Sequence, residues 1–132
     1  MAIDLGDART GIAVSDLTRS LAGEAWTINE YDMERIADKI AEEAQRREVG
    51  ELVLGNPKNM DGTEGERSEK SRAFKALLEK RLPISVVLWD ERRTSIAAHD
   101  ILHANGRKMK NHRQKVDAVA ATLILEGYLD TL

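Results

Sequence analysis

Two apolar runs constrain this chain more than any other feature in it. "ELVLG", Glu51 to Gly55, and "ISVVLW", Ile84 to Trp89, have the length of strands, and the second has the unbroken apolar character of one buried on both faces. Between them, from about Gly65 to Arg81, the pattern sets Phe74, Leu77 and Leu78 on one side of a helix that Pro83 ends. Ser68 and Ser71 are assigned to the surface of that helix. Strand, helix and strand in that order form a crossover unit, so the two strands are predicted to run parallel.

Upstream the connections are tight. "AIDLG" (Ala2–Gly6) is followed by turn material at Gly6-Asp7-Ala8-Arg9, "TGIAVSD" resumes at Thr10, and "AWTIN" (Ala25–Asn29) reads as a third strand. Short strands with short links predict an antiparallel meander. From Met33 to about Arg47 the period changes: Ile36, Ile40 and Ala44 mark an amphipathic helix, with Gly50 just beyond as its stop. Thr94 is the expected N-cap of a short helix through Leu102, closed by Asn105-Gly106. A last helix is predicted over Gln114–Leu129, presenting Val116, Val119, Ala120, Leu123 and Ile124. The predicted order is βββαβαβαα.

A chain of 132 residues, 42% apolar and 33% charged, fits one globular domain with a real core. No run of about twenty apolar residues offers a membrane span, and Met1-Ala2-Ile3-Asp4 does not read as a signal peptide. With no cysteine there is no disulfide or thiolate metal site, and a cytoplasmic location is expected. The net charge of −3 is unevenly spread. Between Arg92 and Lys115 stand Arg92, Arg93, Arg107, Lys108, Lys110, Arg113 and Lys115 against one acid, Asp100. Such a segment is either a solvated loop or the side that holds a polyanion.

Carboxylates stand where the apolar pattern should exclude them. Asp4 is flanked by Ile3 and Leu5. "VVLWDERRTS" runs a buried strand straight into Asp90 and Glu91, and Asp117 enters the last helix beside Val116 and Ala120. A carboxylate in or beside a core costs several kcal/mol, of order 3–5 when left unpaired, unless something pairs with it or ligates it. If Asp4, Glu91 and Asp117 converge, either one is forced to stay protonated or divalent cations neutralise them. An all-oxygen set favours Mg²⁺ or Mn²⁺, and two such ions can activate a water and stabilise the leaving oxygen of a phosphodiester. Arg92 and Arg93 would then hold flanking phosphates. Taken singly, each acid also has an ordinary reading: Asp4 forms a turn, Glu91 an ion pair, and Asp117 complements a helix dipole.

Other patterns are weaker. "HDILH" spaces His99 and His103 one helical turn apart but lacks the glutamate and third ligand of a zinc site, and His112 is at most a minor phosphate contact. "GNPKNMDGTEG" lacks the ending of a phosphate-binding loop and reads as a turn-rich loop over a groove. The aromatics Trp26, Tyr31, Phe74, Trp89 and Tyr128 form no stacking array for single strands.

"DLGDARTGIAVSD", "LVLGNPKNMDGTEGERS", "DERRTS" and "KVDAVAATLILEGYLD" together resemble the YqgF family, also called RuvX, over essentially the whole chain. Its members are described as pre-16S rRNA nucleases and, in older descriptions, as Holliday junction resolvases. The resemblance implies an α/β, RNase H-like fold over residues 1–132 as a single nuclease domain. Its mixed five-stranded sheet has three antiparallel strands then two parallel ones, flanked by helices. It places the family's catalytic and metal-binding acids on Asp4, Glu91 and Asp117, with Asp7 and Asp90 as helpers. The ions implied are two Mg²⁺ or Mn²⁺. Arg9, with the seven cations between Arg92 and Lys115, is assigned to nucleic-acid binding. The implied activity is hydrolysis of phosphodiester bonds in 5′-end processing of pre-16S rRNA during ribosome biogenesis.

The implied partners are structured RNA or branched DNA and ribosomal precursor particles, with no membrane, for a monomer or homodimer. A Holliday junction resolvase is the alternative and requires a dimer. A non-catalytic RNA-binding assembly factor is more remote. An actin-like nucleotide site is also suggested by "DLGDARTGIAVSD", but it would need a second comparable domain. The sequence departs from the family in three places. Only three residues precede Asp4, so a short first strand is expected; Arg93 and Ser95 replace the usual leucine and threonine; and Asn56 precedes Pro57 where leucine is usual.

Overall fold

A computed structural model describes residues 1–6, 8–15, 22–56, 65–90 and 112–131; within these, the side chains of Ala22 and of residues 112–117 lie outside the description. The strands are β1 (Ala2–Asp4), β2 (Arg9–Ser15), β3 (Ala22–Asn29), β4 (Glu51–Asn56) and β5 (Ser85–Asp90). The helices are α1 (Met33–Arg46), α2 (Glu66–Arg81) and α3 (His112–Leu129). The strands form one five-stranded sheet in the order β3-β2-β1-β4-β5. β1, β2 and β3 are antiparallel neighbours, and β4 is parallel to both β1 and β5, as expected for a meander followed by two crossover strands. The expected helix from Thr94 to Leu102 lies outside the described residues. No helix among the described residues is long and apolar enough to cross a membrane.

Side-chain alternation divides the sheet between two cores. Ile3, Ile12, Leu52, Leu54 and Val86 face α1 and α2, meeting Ile36, Ile40, Phe74 and Leu78. Ala2, Ala13 and Val53 face the other way, against Ala121, Ile124 and Leu125 of α3. Removing side chains such as Ile36 and Ile40, each 1% exposed, from water contributes about 1.5–3 kcal/mol apiece. The small residues Ala2 and Ala13 let α3 lie close over the middle of the sheet.

Arginines clamp the layers at their rims. Arg81, closing α2, donates to Asp38 Oδ1 at 2.7 Å and to Glu34, both on α1. Arg47 donates to Glu43 of α1 at 2.9 Å and to Glu24 of β3 at 2.8 Å, and lies 4.8 Å over the Trp26 ring. The aromatics are thus largely structural: Trp89 and Tyr128 make an edge-to-face pair 6.2 Å apart that joins β5 to α3.

Three expectations are corrected. In β5 Val86 is buried, Ser85 is exposed and the other four residues are half-buried, because among the described residues it is an edge strand with one neighbour, which an apolar run cannot report. Ser68 and Ser71 are buried, not on the surface, because the inward stripe of α2 continues N-terminally from Leu78 and Phe74 through these two small residues. Finally, α1 is ended by Glu48, which takes the left-handed conformation (φ 55°), while the Val49 N–H bonds the Ala44 carbonyl at 2.8 Å. Gly50 only follows that stop.

A pH effect arises at the edge opposite Asp4. Where the amino group of Met1 is free, it donates to the Glu51 carbonyl at 3.1 Å, and burial lowers its pKa from 8.0 to about 6, opposed by the nearby Glu51 charge. Between these values the unfolded chain holds the proton and the folded chain does not, so stability rises with pH across that window. The denaturation midpoint in urea should increase from pH 6 to pH 8, by up to about 2–3 kcal/mol in unfolding free energy. A flat profile would mean that the amine stays hydrated.

Candidate active site

The parallel strands β1, β4 and β5 end at a common edge of the sheet, in Asp4, Asn56 and Asp90. The antiparallel β3 also ends there, and α1 and α2 both begin there. In an open α/β sheet this carboxyl edge is where ligands bind, because strand ends and loop starts leave polar groups without ladder partners. The fold therefore carries Asp4 to the edge at which a site belongs.

Asp4 is half-buried and, one residue beyond Ile3, points to the face that carries α3. Its neighbours follow from the register. Gly11 is its direct partner across the antiparallel ladder, and Ile3 pairs with Leu54, which sets Asp4 level with Gly55 on the other side. Gly11 in turn pairs with Thr27, and Gly55 with Trp89. The row across this face thus reads Thr27, Gly11, Asp4, Gly55, Trp89. Its ladder neighbours at this level are thus both glycines, and both are buried.

Arg9 stands two residues before Gly11 on β2 and so shares Asp4's face, as a diagonal neighbour within reach of a long side chain. It is half-buried and begins the strand that Asp4 pairs with. The turn joining β1 to β2 is close: a Cβ on Gly6 would stand 2.1 Å from the Arg9 carbonyl oxygen. The Glu30 N–H bonds the Ala8 carbonyl at 3.1 Å, tying this turn to the end of β3. Asp32 follows as the N-cap of α1, its carboxylate accepting the Glu34 N–H at 2.9 Å.

The remaining predicted residues divide as follows. Asp90 ends β5 on Leu88's face, toward α1 and α2, with Asn56 as its ladder partner; Asp4 lies on the opposite face. Asp117, Arg113 and Lys115 fall in the first turns of α3, the helix on Asp4's face, and their side chains lie outside the description. Asp7, Glu91, Arg92, Arg93, His99, His103, Arg107, Lys108 and Lys110 lie outside the described residues, as does the loop 57–64. Among the described residues no three His, Asp or Glu side chains gather, and Asp4 is the one member of the expected triad whose side chain is described. Sequence reasoning missed the two glycines beside Asp4. Their signal was present, as isolated glycines inside strand patterns mark close approach, but register was needed to place them.

The RuvX family, described as "Holliday junction resolvase", matches residues 1–131. A protein of Heliobacterium modesticaldum named "Putative pre-16S rRNA nuclease" is 41% identical over 98% of this chain and 87% of its own length. Proteins of the same name from Acetivibrio thermocellus and Ruegeria pomeroyi are 41% and 38% identical, over 99% and 98% of this chain and 94% and 84% of their own lengths.

Proposed function

The chain belongs to the RuvX family, and from that premise we propose that it is a metal-dependent nuclease that trims the 5′ end of pre-16S rRNA. One observation of this structure carries the reading. The aspartate that ends the central strand opens at the carboxyl edge of the sheet, with glycine on both sides, on the face that α3 covers. A half-buried carboxylate at the carboxyl edge of the sheet suits an oxygen-preferring divalent cation, and the acids assigned to the site offer only oxygen.

Asp4, Glu91 and Asp117 would hold Mg²⁺ or Mn²⁺. Bound there, the ions supply a lowered pKa for water and charge stabilisation for the leaving oxygen. The chain's own part is to bring the phosphate chain to a negatively charged site. Arg9, on Asp4's face, and the cations from Arg92 to Lys115 are assigned that work, binding phosphates on either side of the scissile bond. A second reading, cleavage of four-way DNA junctions, is favoured by the family's description alone.

The test offers the purified protein a 16S precursor fragment with its 5′ extension and, separately, a four-way DNA junction, each with Mg²⁺, with Mn²⁺ and with excess EDTA. Cleavage of the RNA at its 5′ side, abolished by EDTA and restored by Mg²⁺, is the expected result. Symmetric junction cleavage with the RNA left intact would favour the second reading. Tight RNA binding without cleavage under any metal would make the protein an assembly factor.

A further inference from the structure

We propose that Tyr31 is a base-binding residue: its ring stacks on an unpaired nucleobase of the RNA strand whose backbone is cut at Asp4. This deepens the proposed function and rests on it. Four of the five aromatic residues pack into the two cores, Phe74 buried and Trp26, Trp89 and Tyr128 partly so. Tyr31 is 78% exposed. It stands between Asn29, which ends β3, and Met33, which begins α1, and both of those ends lie at the carboxyl edge where Asp4 ends β1. β3 is two strands from β1, about 10 Å to the side, a distance that a few nucleotides of extended strand cover.

The backbone under the ring is fixed. The Glu30 carboxylate accepts the Tyr31 N–H at 3.0 Å and the Asp32 N–H at 3.3 Å. The Glu30 N–H is itself held by the Ala8 carbonyl at 3.1 Å, and Asp32 caps α1 through the Glu34 N–H at 2.9 Å. An aromatic ring on a fixed backbone has two side-chain torsions to lose, so little ordering cost opposes a stack. Charge selects the base over the phosphate. Glu30 and Asp32 flank the ring in sequence and repel phosphate. Arg35 lies 4.0 Å from Glu30 and 3.9 Å from Asp32, and Lys39 lies 3.9 Å from Glu30, so these cations serve the carboxylates. What the turn offers a nucleic acid is the face of the ring, and every base has a face to match it. In a duplex that face is already stacked, so the partner is an unpaired stretch of RNA.

The test titrates the 16S precursor fragment with wild type, Tyr31→Ala, Tyr31→Phe and Tyr31→Trp over a series of salt concentrations. Ca²⁺, another cation of oxygen ligands, replaces Mg²⁺. Copies of the RNA carry the fluorescent base 2-aminopurine at single unpaired positions around the 5′ cleavage site, and each protein is also melted. Tyr31→Ala is expected to melt as wild type and to bind about 5- to 150-fold more weakly, the loss of one base–aromatic stack. Its dependence of affinity on salt should equal that of wild type, and Tyr31→Phe and Tyr31→Trp should restore binding. One labelled position should be quenched by wild type, Tyr31→Phe and Tyr31→Trp but not by Tyr31→Ala. Wild-type affinity in folded Tyr31→Ala would overturn the inference while leaving the nuclease reading intact. Tyr31→Phe as weak as Tyr31→Ala would overturn it in favour of a hydrogen bond from the hydroxyl, and a salt slope reduced by about one in favour of a phosphate contact. Failure of Tyr31→Ala to fold would overturn it by assigning the ring to packing, and an equal loss on the four-way DNA junction would overturn the unpaired base as partner. Wild type unable to cleave the unlabelled RNA with Mg²⁺ would remove the nuclease reading itself, and this inference with it.

Discussion

Replacing Asp4 with asparagine is expected to leave the melting temperature within a few degrees of wild type and to slow cleavage by about 10³-fold or more. The two effects separate because they depend on different properties of the side chain. Asparagine has nearly the volume of aspartate, and position 4 is half-buried at a strand end, so neither the Ala2–Ala13 and Ile3–Ile12 pairings nor the small-residue contact under α3 is disturbed. If Asp4 shares its surroundings with Glu91 and Asp117, removing its charge relieves repulsion, so any change in stability should be upward. Activity is another matter. Loss of a ligating carboxylate removes several kcal/mol of charge stabilisation, and about 4 kcal/mol corresponds to roughly a thousandfold in rate.

Single-turnover cleavage at saturating Mg²⁺, with a thermal melt on the same preparation, measures both quantities. Glu91→Gln and Asp117→Asn should lose comparable activity, and the double variants little more, because groups that act as one unit are not additive. Wild-type turnover by folded Asp4→Asn would place the chemistry elsewhere.

How much of this was legible in the sequence follows from what each pattern encodes. The change from short apolar runs to a helical period at Ile36, Ile40 and Ala44 reports solvent and core directly, so the order of described elements and the mixed sheet were readable. Asp4 was readable too, as a charge where the period calls for an apolar residue. Neighbourhood was not. An apolar run such as Ile84–Trp89 cannot say whether its strand lies at the centre or the edge of the sheet, and β5 lies at the edge. Two serines look like surface until the inward face of α2 is extended through Ser68 and Ser71. The left-handed stop of α1 fell on Glu48, since the helix ends where its apolar face runs out, and the tertiary packing on either side outweighs a glycine's local preference. Gly11 and Gly55 are far apart in the chain, and only the ladder register brings both to Asp4.

Gly6→Ala should be more damaging than Gly50→Ala or Gly127→Ala, and for a reason distinct from that of Asp4→Asn. A Cβ at position 6 would stand 2.1 Å from the Arg9 carbonyl oxygen, 3.3 Å from its carbon and 3.8 Å from its nitrogen. The obstacle is backbone, so rotating a side chain cannot relieve it; the β1–β2 turn must open. Opening is opposed on two sides. Arg9 is registered against Asn29 at the start of the β2–β3 ladder, and the adjacent Ala8 carbonyl is held by the Glu30 N–H at 3.1 Å. The displacement therefore passes into the pairing of Asp4 with Gly11, the last rung of a strand only three residues long. A cost of about 2–3 kcal/mol is expected, within the range for substitutions that force backbone strain, which for a domain of this size lowers the melting temperature by roughly 10 °C. Cleavage should fall as well, even at temperatures where the variant remains folded, because the rung that shifts carries Asp4 and the strand beside it carries Arg9. Gly50→Ala, with open space around the added methyl, should change stability by no more than about 0.5–1 kcal/mol. Thermal melts and single-turnover rates on the two variants decide the matter: equal melting temperatures would show that the turn relaxes freely, and that Asp4 does not depend on the closeness of Gly6 to Arg9 for its place at the edge of the sheet.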